Sequence, residues 1–220
     1  MFLLKMGQQD HMEQFRRGLL YVNTLNYFRG LDGDPARADR FEGVTHIFQP
    51  QDVIMRLSAP GFGEFVIGNE DLAAATTLSM NAELCCNIFC LHAITEPING
   101  TLFSAEHEWF GDSIVLVLNT QEFMKRVLAA CKARNVAVKG SLVEYYDDET
   151  YTGKLDRFRK PKRFAHQREY RIAVGSPGTE PLVLDIGDST DITSEVVPFS
   201  DANSVFKFSE DDARAAALSW

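Results

Sequence analysis

The 220-residue sequence contains no apolar run close to the length of a membrane-spanning helix, which needs about 20 residues. It also contains no internal repeat, no low-complexity segment and no stretch with the composition of a linker. The apolar N-terminal run is short and is not followed by a small-residue cleavage site. We therefore expect a cytoplasmic protein with no membrane association, folded as one domain over residues 1–220.

The common sequence motifs that encode a reaction are missing as well. The chain has no phosphate-binding GxxxxGK[ST] loop, no GxSxG elbow, no HExxH and no GxGxxG. No CxxC pair occurs among the four cysteines, which are Cys85, Cys86, Cys90 and Cys131. We therefore expect buried free thiols rather than a metal site or a disulfide framework.

Positive charge is scarce in most of the chain, because the formal net charge is −9 and the pI is near 5.0. This balance argues against a protein that coats nucleic acid through a net basic surface. One stretch departs from it: residues 154–171, here called the basic block, contain eight Lys or Arg and two Asp or Glu. A focused contact with a polyanion therefore stays open.

The basic block runs into an alternating stretch, residues 168–174, that predicts a β-strand. Glu169 lies at the start of this strand, and the neighbouring Arg168 and Arg171 should lower its pKa. In strand geometry Gln167, Glu169 and Arg171 project to one face. The acid is either a structural neutraliser of the block or a carboxylate kept ionised for chemistry.

The order Gln167-x-Glu169 before an apolar strand resembles the catalytic glutamate motif of ADP-ribosyltransferases, in which Q-x-E or E-x-E places the acid against the nicotinamide ribose. It is also similar to the R-Q-x-E-[FY] stretch of the toxins that ADP-ribosylate DNA. The resemblance implies a transferase that uses NAD as a substrate and needs no metal. It implies that Glu169 and Gln167 are the catalytic residues, with Glu169 acting on the sugar and Gln167 contacting the acceptor.

The first thirty residues extend this resemblance. Residues 2–6 predict a buried strand, and residues 8–17 predict a helix that ends at Gly18. The DNA-targeting toxins open in a similar way, with a strand whose His holds the ribose of the dinucleotide, and Lys5 takes the place of that His here. The resemblance implies the following NAD-binding residues: Lys5, Asn23, Tyr27, Arg29 and Arg37.

Residues 30–43 form a long polar loop that includes Arg37, Asp39 and Glu42. Together with Tyr27-Phe28-Arg29, the loop resembles a Y-F-R…R-x-D-x-x-E-G pattern of bacterial proteins of unknown function. Loops of this length in compact domains are often functional. Two hypotheses follow: a lid over the cofactor cleft, or an internal ion-pair network that ties the loop down.

The fold expectation combines the resemblance with the mixture of strand and helix patterns. We predict an α+β fold, a single domain with a mostly antiparallel, split central β-sheet and flanking helices. The strands that begin near Phe2, Ser113 and Arg168 should lie in the middle of the sheet. A short helix is predicted at residues 71–78, and residues 181–184 should return as the hairpin partner of the strand at 168–174.

Two further classes of function stay open. A domain of this fold could sense a nucleotide or a partner without chemistry, which Lys5 in place of the motif His favours. Alternatively, the basic block could grip single-stranded nucleic acid by charge and by stacking on Phe158 and Phe164. For the transferase, the acceptor would be a nucleic acid or a protein. Its setting would be that of a toxin or an anti-phage defence effector, with a neutralising antitoxin or another partner protein.

Overall fold

The computed structural model describes residues 1–30, 39–79, 86–95, 102–175 and 180–206. The α-helices are α1 (Gln9–Arg16), α2 (Leu25–Arg29), α3 (Thr120–Ala133) and α4 (Phe199–Val205). Short 3₁₀ helices span Pro50–Asp52, Asn69–Asp71, Ala105–Phe110 and Lys162–Gln167. The strands are β1 (Phe2–Gly7), β2 (Leu19–Thr24), β3 (His46–Phe48), β4 (Met55–Ala59), β5 (Gly63–Ile67), β6 (Thr76–Leu78), β7 (Cys86–Ile94), β8 (Ser113–Val117), β9 (Val138–Leu142), β10 (Glu144–Tyr146), β11 (Gly153–Lys154), β12 (Arg159–Pro161), β13 (Glu169–Gly175), β14 (Leu182–Asp185) and β15 (Val197–Pro198).

The largest sheet has eight strands, in the order β14-β2-β7-β1-β8-β15, with β13 paired to β7 and β9 paired to β13. All the pairs in this sheet are antiparallel. Smaller sheets join β10 to β12, β3 to β6 and β11, and β4 to β5. The α+β prediction with a mostly antiparallel central sheet is confirmed, and β1, β8 and β13 each have a neighbour on both sides, as expected.

The central sheet is split along one edge of β7. On this edge, β2 pairs with residues 87 and 88, whereas β1 pairs with residues 92 to 94. The opposite edge of β7 pairs with β13 from residue 86 to residue 92. Residues 89–91 therefore lie where β1 and β2 separate, between two arms of the sheet.

Helix α1 packs Met12 and Phe15 against one face of the sheet and ends at a glycine. Gly18 has a φ of +83°, and a Cβ there would lie 1.8 Å from the carbonyl oxygen of Gly187. Only glycine fits this turn, because the conformation is left-handed and the neighbouring backbone is too close. The predicted helix end is thus explained by packing as well as by conformation.

Helix α3 begins with a side-chain cap. The side-chain oxygen of Asn119 accepts a hydrogen bond from the backbone N–H of Glu122 at 3.0 Å, which satisfies one of the unpaired donors of the first turn. Phe123, Val127 and Cys131 form its buried face. This stripe covers the same side of the sheet as α1 and completes the largest apolar core.

Two local predictions are wrong. Strand β14 pairs with β2 and not with β13, because both edges of β13 are already occupied by β7 and β9. Residues 71–78 do not form a helix: Asn69–Asp71 is a 3₁₀ turn, and β6 (Thr76–Leu78) pairs with β3. In both cases a strand edge elsewhere in the fold decided the outcome.

Cys86 and Cys131 are buried, as predicted, whereas Cys90 is half-buried and Cys85 lies outside the described residues. In the part of the chain that the structure describes, no helix has the length and apolar character to cross a membrane.

Candidate active site

The predicted motif lies where a 3₁₀ helix turns into β13. Arg168 adopts a left-handed conformation, with φ of +42°, which is uncommon for a residue other than glycine. The strand therefore begins at Glu169, one residue later than predicted, and strand alternation does not reach Gln167. Both motif residues nevertheless contact the same amine, because Lys160 Nζ lies 2.8 Å from Gln167 Oε1 and 2.9 Å from Glu169 Oε2.

Arg171 lies on the same face of β13 as Glu169 and clamps it from the other side. Its Nε donates to Glu169 Oε1 at 2.7 Å, and its two terminal nitrogens donate to the Glu42 carboxylate at 2.8 and 3.1 Å. All four charged side chains are buried, and Glu169 is only 4% exposed. We call Glu42, Lys160, Glu169 and Arg171 the β13 ion-pair network. Its two acids and two cations balance each other, as burial of charge requires.

Glu169 is held ionised by this network. Burial disfavours the carboxylate, but the charges of Arg171 and Lys160 outweigh the burial and hold the pKa of Glu169 well below its ordinary value of 4.5. Burial also opposes the charge on Lys160, and the Glu169 carboxylate raises the pKa of that amine in spite of it. The expected lowering thus comes from Arg171 and Lys160 rather than from Arg168.

The end of the predicted loop joins this network through Glu42. Asp39 is buried beside it and accepts a hydrogen bond from the Phe41 N–H at 2.9 Å. Burial and the nearby Glu42 charge raise the pKa of Asp39 to about 6. Glu42 thus forms the buried ion pair that the ion-pair hypothesis for this loop expects, whereas Asp39 is held by a backbone hydrogen bond. The lid hypothesis stays a prediction, since residues 31–38, Arg37 among them, lie outside the described part of the chain.

A cavity of about 640 Å³ opens at the split in the sheet. This volume lies within the range of small-molecule and cofactor sites. Residues 89–91 of β7 contribute to its wall, together with parts of β1, α1, β2 and α2. It brings five of the seven predicted site residues to one place: Lys5, Asn23, Tyr27, Gln167 and Glu169.

Lys5 reaches from β1 to the part of β7 that lies between the two arms of the sheet. Its Nζ donates to the carbonyl oxygen of Cys90 at 2.8 Å and lies 4.4 Å from the centre of the Phe89 ring. The contact gives one strand-edge carbonyl a partner where no ladder hydrogen bond is possible. It also places a cation in the cavity wall, where an anionic group of a ligand would be attracted.

The other predicted NAD-binding residues differ in position. Asn23 lines the cavity from β2, and its side-chain oxygen accepts from the Thr24 N–H at 2.9 Å. Tyr27 lines it from α2, with its half-exposed ring set edge-on to Phe28. Arg29, the last residue of α2, is exposed and is not among the residues that line the cavity.

His92 is a site residue that the motif does not indicate. It lies directly opposite Glu169 in the β7–β13 ladder, and its Nδ1 is 2.9 Å from the carbonyl oxygen of Gln167. Because a carbonyl only accepts, Nδ1 carries the proton. Burial lowers the pKa of His92 to about 3, so the ring is neutral at neutral pH. Its register opposite the motif strand is the signal that places it in the site.

Much of the basic block is engaged within the protein. Beyond the two cations of the β13 ion-pair network, Arg159 pairs with Glu144 at 2.9 Å and Arg163 pairs with Asp148. The rings of Phe158 and Phe164 are only 8% and 3% exposed. Bases cannot stack on rings that are buried, so the hypothesis of a single-stranded nucleic-acid grip loses its stacking platform.

Within the described ranges, no three His, Cys, Asp or Glu side chains are grouped so as to hold a metal ion. No protein-family model, curated protein or solved structure matches this chain. The chemistry of the site therefore has to be argued from its geometry alone. The cavity is lined by an ionised carboxylate, Glu169, a cation, Lys5, and an aromatic ring, Tyr27.

Proposed function

We propose that the protein is an NAD-dependent ADP-ribosyltransferase whose catalytic carboxylate is Glu169. The observation that carries the proposal is the shared cavity: an ionised Glu169 lines the same cavity as Lys5, Asn23 and Tyr27. The volume suits a nucleotide ligand. Lys5 would attract the pyrophosphate, and the ring of Tyr27 would stack on a base or on nicotinamide.

In this reaction the bond between ribose C1′ and the nicotinamide nitrogen breaks, and nicotinamide leaves with the electron pair. The sugar becomes cationic before the acceptor forms a new bond to C1′ and loses its proton. A fixed negative charge beside the sugar stabilises this state more than the ground state, which is the condition for catalysis. Arg171 and Lys160 keep Glu169 ionised and hold its position, while Gln167 would face the acceptor.

The test is a rate comparison between two isosteric variants of the network. Glu169→Gln removes the charge from the cavity wall and should cost at least ~2 kcal/mol of transition-state stabilisation, or more than about thirtyfold in rate. Glu42→Gln removes a charge from the same network, at a residue that does not line the cavity. This variant should lose a similar free energy of unfolding, and its transfer rate should fall much less than that of Glu169→Gln.

The readout is transfer of label from NAD to bacterial lysate, RNA or DNA, together with nicotinamide release. Transfer that survives Glu169→Gln, or that falls equally in both variants, would contradict a catalytic role for Glu169. Because NAD affinity rests on other residues, binding by the Glu169→Gln variant should be retained. The acceptor class, nucleic acid or protein, is read from the fraction that carries the label.

The burial of Glu169 favours a second candidate function. Both of its oxygens are already paired, at 2.7 and 2.9 Å, which is the arrangement expected of a structural ion pair. The domain would then be a module that senses a nucleotide or a partner without turnover. In that case NAD or a related nucleotide raises the melting temperature, while no nicotinamide is released.

A further inference from the structure

One face of β2 forms part of the cavity wall. Leu20 and Val22 turn into the apolar core, so strand alternation turns the residues beside them to the opposite face. Those residues are Leu19, Tyr21 and Asn23, here called the β2 strip, and all three line the cavity. The strip is about 13 Å long, because a strand rises about 3.3 Å per residue. Asn23 was predicted as a site residue, whereas Leu19 and Tyr21 belong to no motif.

Tyr21 presents its aromatic ring to the cavity. The residue is 56% exposed, although the core side of the same strand is fully packed. Within the described part of the chain, no hydrogen bond or ring contact holds its side chain. Leu19, two residues away on the same face, extends the apolar surface. A ring in this position can stack on a planar heterocycle, since every nucleobase has a π-face.

The cavity presents three chemically different groups in a fixed order across the sheet. Glu169 lies on β13, which pairs with one edge of β7. Lys5 Nζ lies at β7 itself, 2.8 Å from the carbonyl oxygen of Cys90. The β2 strip lies beyond β7, because β2 pairs with the opposite edge of that strand. A carboxylate, a cation and an aromatic ring therefore follow one another from β13 over β7 to β2.

This order matches the order of groups in a dinucleotide. In NAD the nicotinamide ribose is followed by the pyrophosphate and then by adenosine. Glu169 fixes the place of the nicotinamide ribose under the proposed function, and Lys5 attracts the pyrophosphate. Nicotinamide is bonded to that ribose and stays beside Glu169. It does not reach β2, which lies two strand spacings, or about 10 Å, from β13.

We propose that the β2 strip binds the adenine base of the dinucleotide, with the ring of Tyr21 stacked on the base. The assignment of the nicotinamide end rests on the proposed function, whereas the adenine end can be tested by binding alone. Stacking uses the ring face and not the phenol hydroxyl. Removal of one such ring lowers the affinity for a base by about fivefold or more.

The test compares three ligands by titration of the melting temperature of the full chain: NAD, AMP and nicotinamide mononucleotide. Tyr21→Thr keeps a strand-forming residue and removes the ring, so the dissociation constants of NAD and AMP should rise about fivefold or more. Nicotinamide mononucleotide lacks adenine, and its affinity should not change. Tyr21→Phe keeps the ring and should bind all three ligands as the wild type does.

The matched control is Val183→Thr. Val183 lies directly opposite Tyr21 in the β2–β14 ladder and is 47% exposed, but it is not among the residues that line the cavity. This variant also loses exposed apolar surface at the same level of the sheet, and it should bind AMP as the wild type does. Equal losses in Val183→Thr and Tyr21→Thr would overturn the proposal, because the ring would then have no particular role.

Three other results would overturn it as well: no binding of AMP by the wild type, wild-type AMP affinity in Tyr21→Thr, or an equal loss of affinity for nicotinamide mononucleotide. The last result would place the ring at the nicotinamide end. Failure of the transferase proposal has a different signature. In that case no nicotinamide is released from NAD, while the binding of AMP still depends on the ring of Tyr21.

Discussion

The β13 ion-pair network and the β4–β5 hairpin depart from the usual distribution of side chains in opposite directions. The network buries four charged side chains beside a cavity, whereas the hairpin exposes large apolar side chains to water. Buried charges are tolerated only if every partner is present, so the network depends on the rest of the fold. Exposed apolar side chains contribute little to the free energy of unfolding, so substitutions in the hairpin should leave the chain folded. The same kind of substitution should therefore have very different effects in the two regions.

The sharpest contrast is between two arginines that each pair with a glutamate. Arg171→Met removes the central cation of the network and leaves Glu42 and Glu169 buried without their main partner. We expect a loss of about 3 to 5 kcal/mol in the free energy of unfolding. Arg56→Met breaks the exposed pair with Glu64 and should cost less than about 1 kcal/mol. Urea unfolding of both variants measures the difference, and similar losses would mean that burial does not separate the two regions.

Asp39 gives the comparison a pH dependence. Burial and the Glu42 charge raise its pKa from 3.8 to about 6. Between these values the folded state keeps a proton that the unfolded state has released, so the stability falls as the pH rises. Asp39→Asn removes this penalty and should raise the free energy of unfolding at neutral pH by on the order of 1 to 3 kcal/mol. Below pH 3.8 the variant and the wild type should unfold alike.

Glu169 contributes with the opposite sign in the same titration. Because its folded pKa is lowered from 4.5, its contribution is complete above that pH and is lost as the pH falls further. The pH profile of the free energy of unfolding separates the two acids. Asp39→Asn should flatten this profile only between pH 3.8 and about 6, and it should leave unchanged the loss of stability that protonation of Glu169 causes at lower pH. An unchanged profile would contradict the raised pKa of Asp39.

The smallest effect is expected at the tip of the hairpin. Phe62→Ala should change the free energy of unfolding by less than about 0.5 kcal/mol, because the ring has few contacts to lose. Its buried counterpart is Phe123 in α3, and Phe123→Ala should cost about 3 to 5 kcal/mol. Thermal unfolding of dilute samples compares the two. A large loss for Phe62→Ala at low concentration would mean that the hairpin packs within its own chain.

Local sequence was sufficient where an element is determined by its own residues. The strand at β8 is short, apolar and β-branched, and the start of α3 carries its own cap, so both could be predicted. The partner of β14 could not, because strands compete for edges across the whole sheet. Residues 71–78 include alanines that favour a helix locally, yet the open edge of β3 took part of them as β6.

The candidate site was predictable in part for the same reason. Glu169 and Gln167 stand in a pattern that can be read along the chain, Lys5 was found from its position before the helix that ends at Gly18, and the cavity brings the three together. The roles of Glu42 and Lys160 could not be predicted, because a sequence gives the sign of a charge and not its partner. Which of the many cations in the basic block turns inward is decided by packing around β13.

The pairing of Glu42 with Arg171 joins positions that are 129 residues apart in the chain. Closing such a long loop costs entropy before any contact repays it, and folds rich in distant pairings are slow to form. During synthesis, the first acid of the network waits until most of the chain has left the ribosome. The carboxylates near this cavity thus acquire their partners late in synthesis, and we expect the site to form in the later stages of folding.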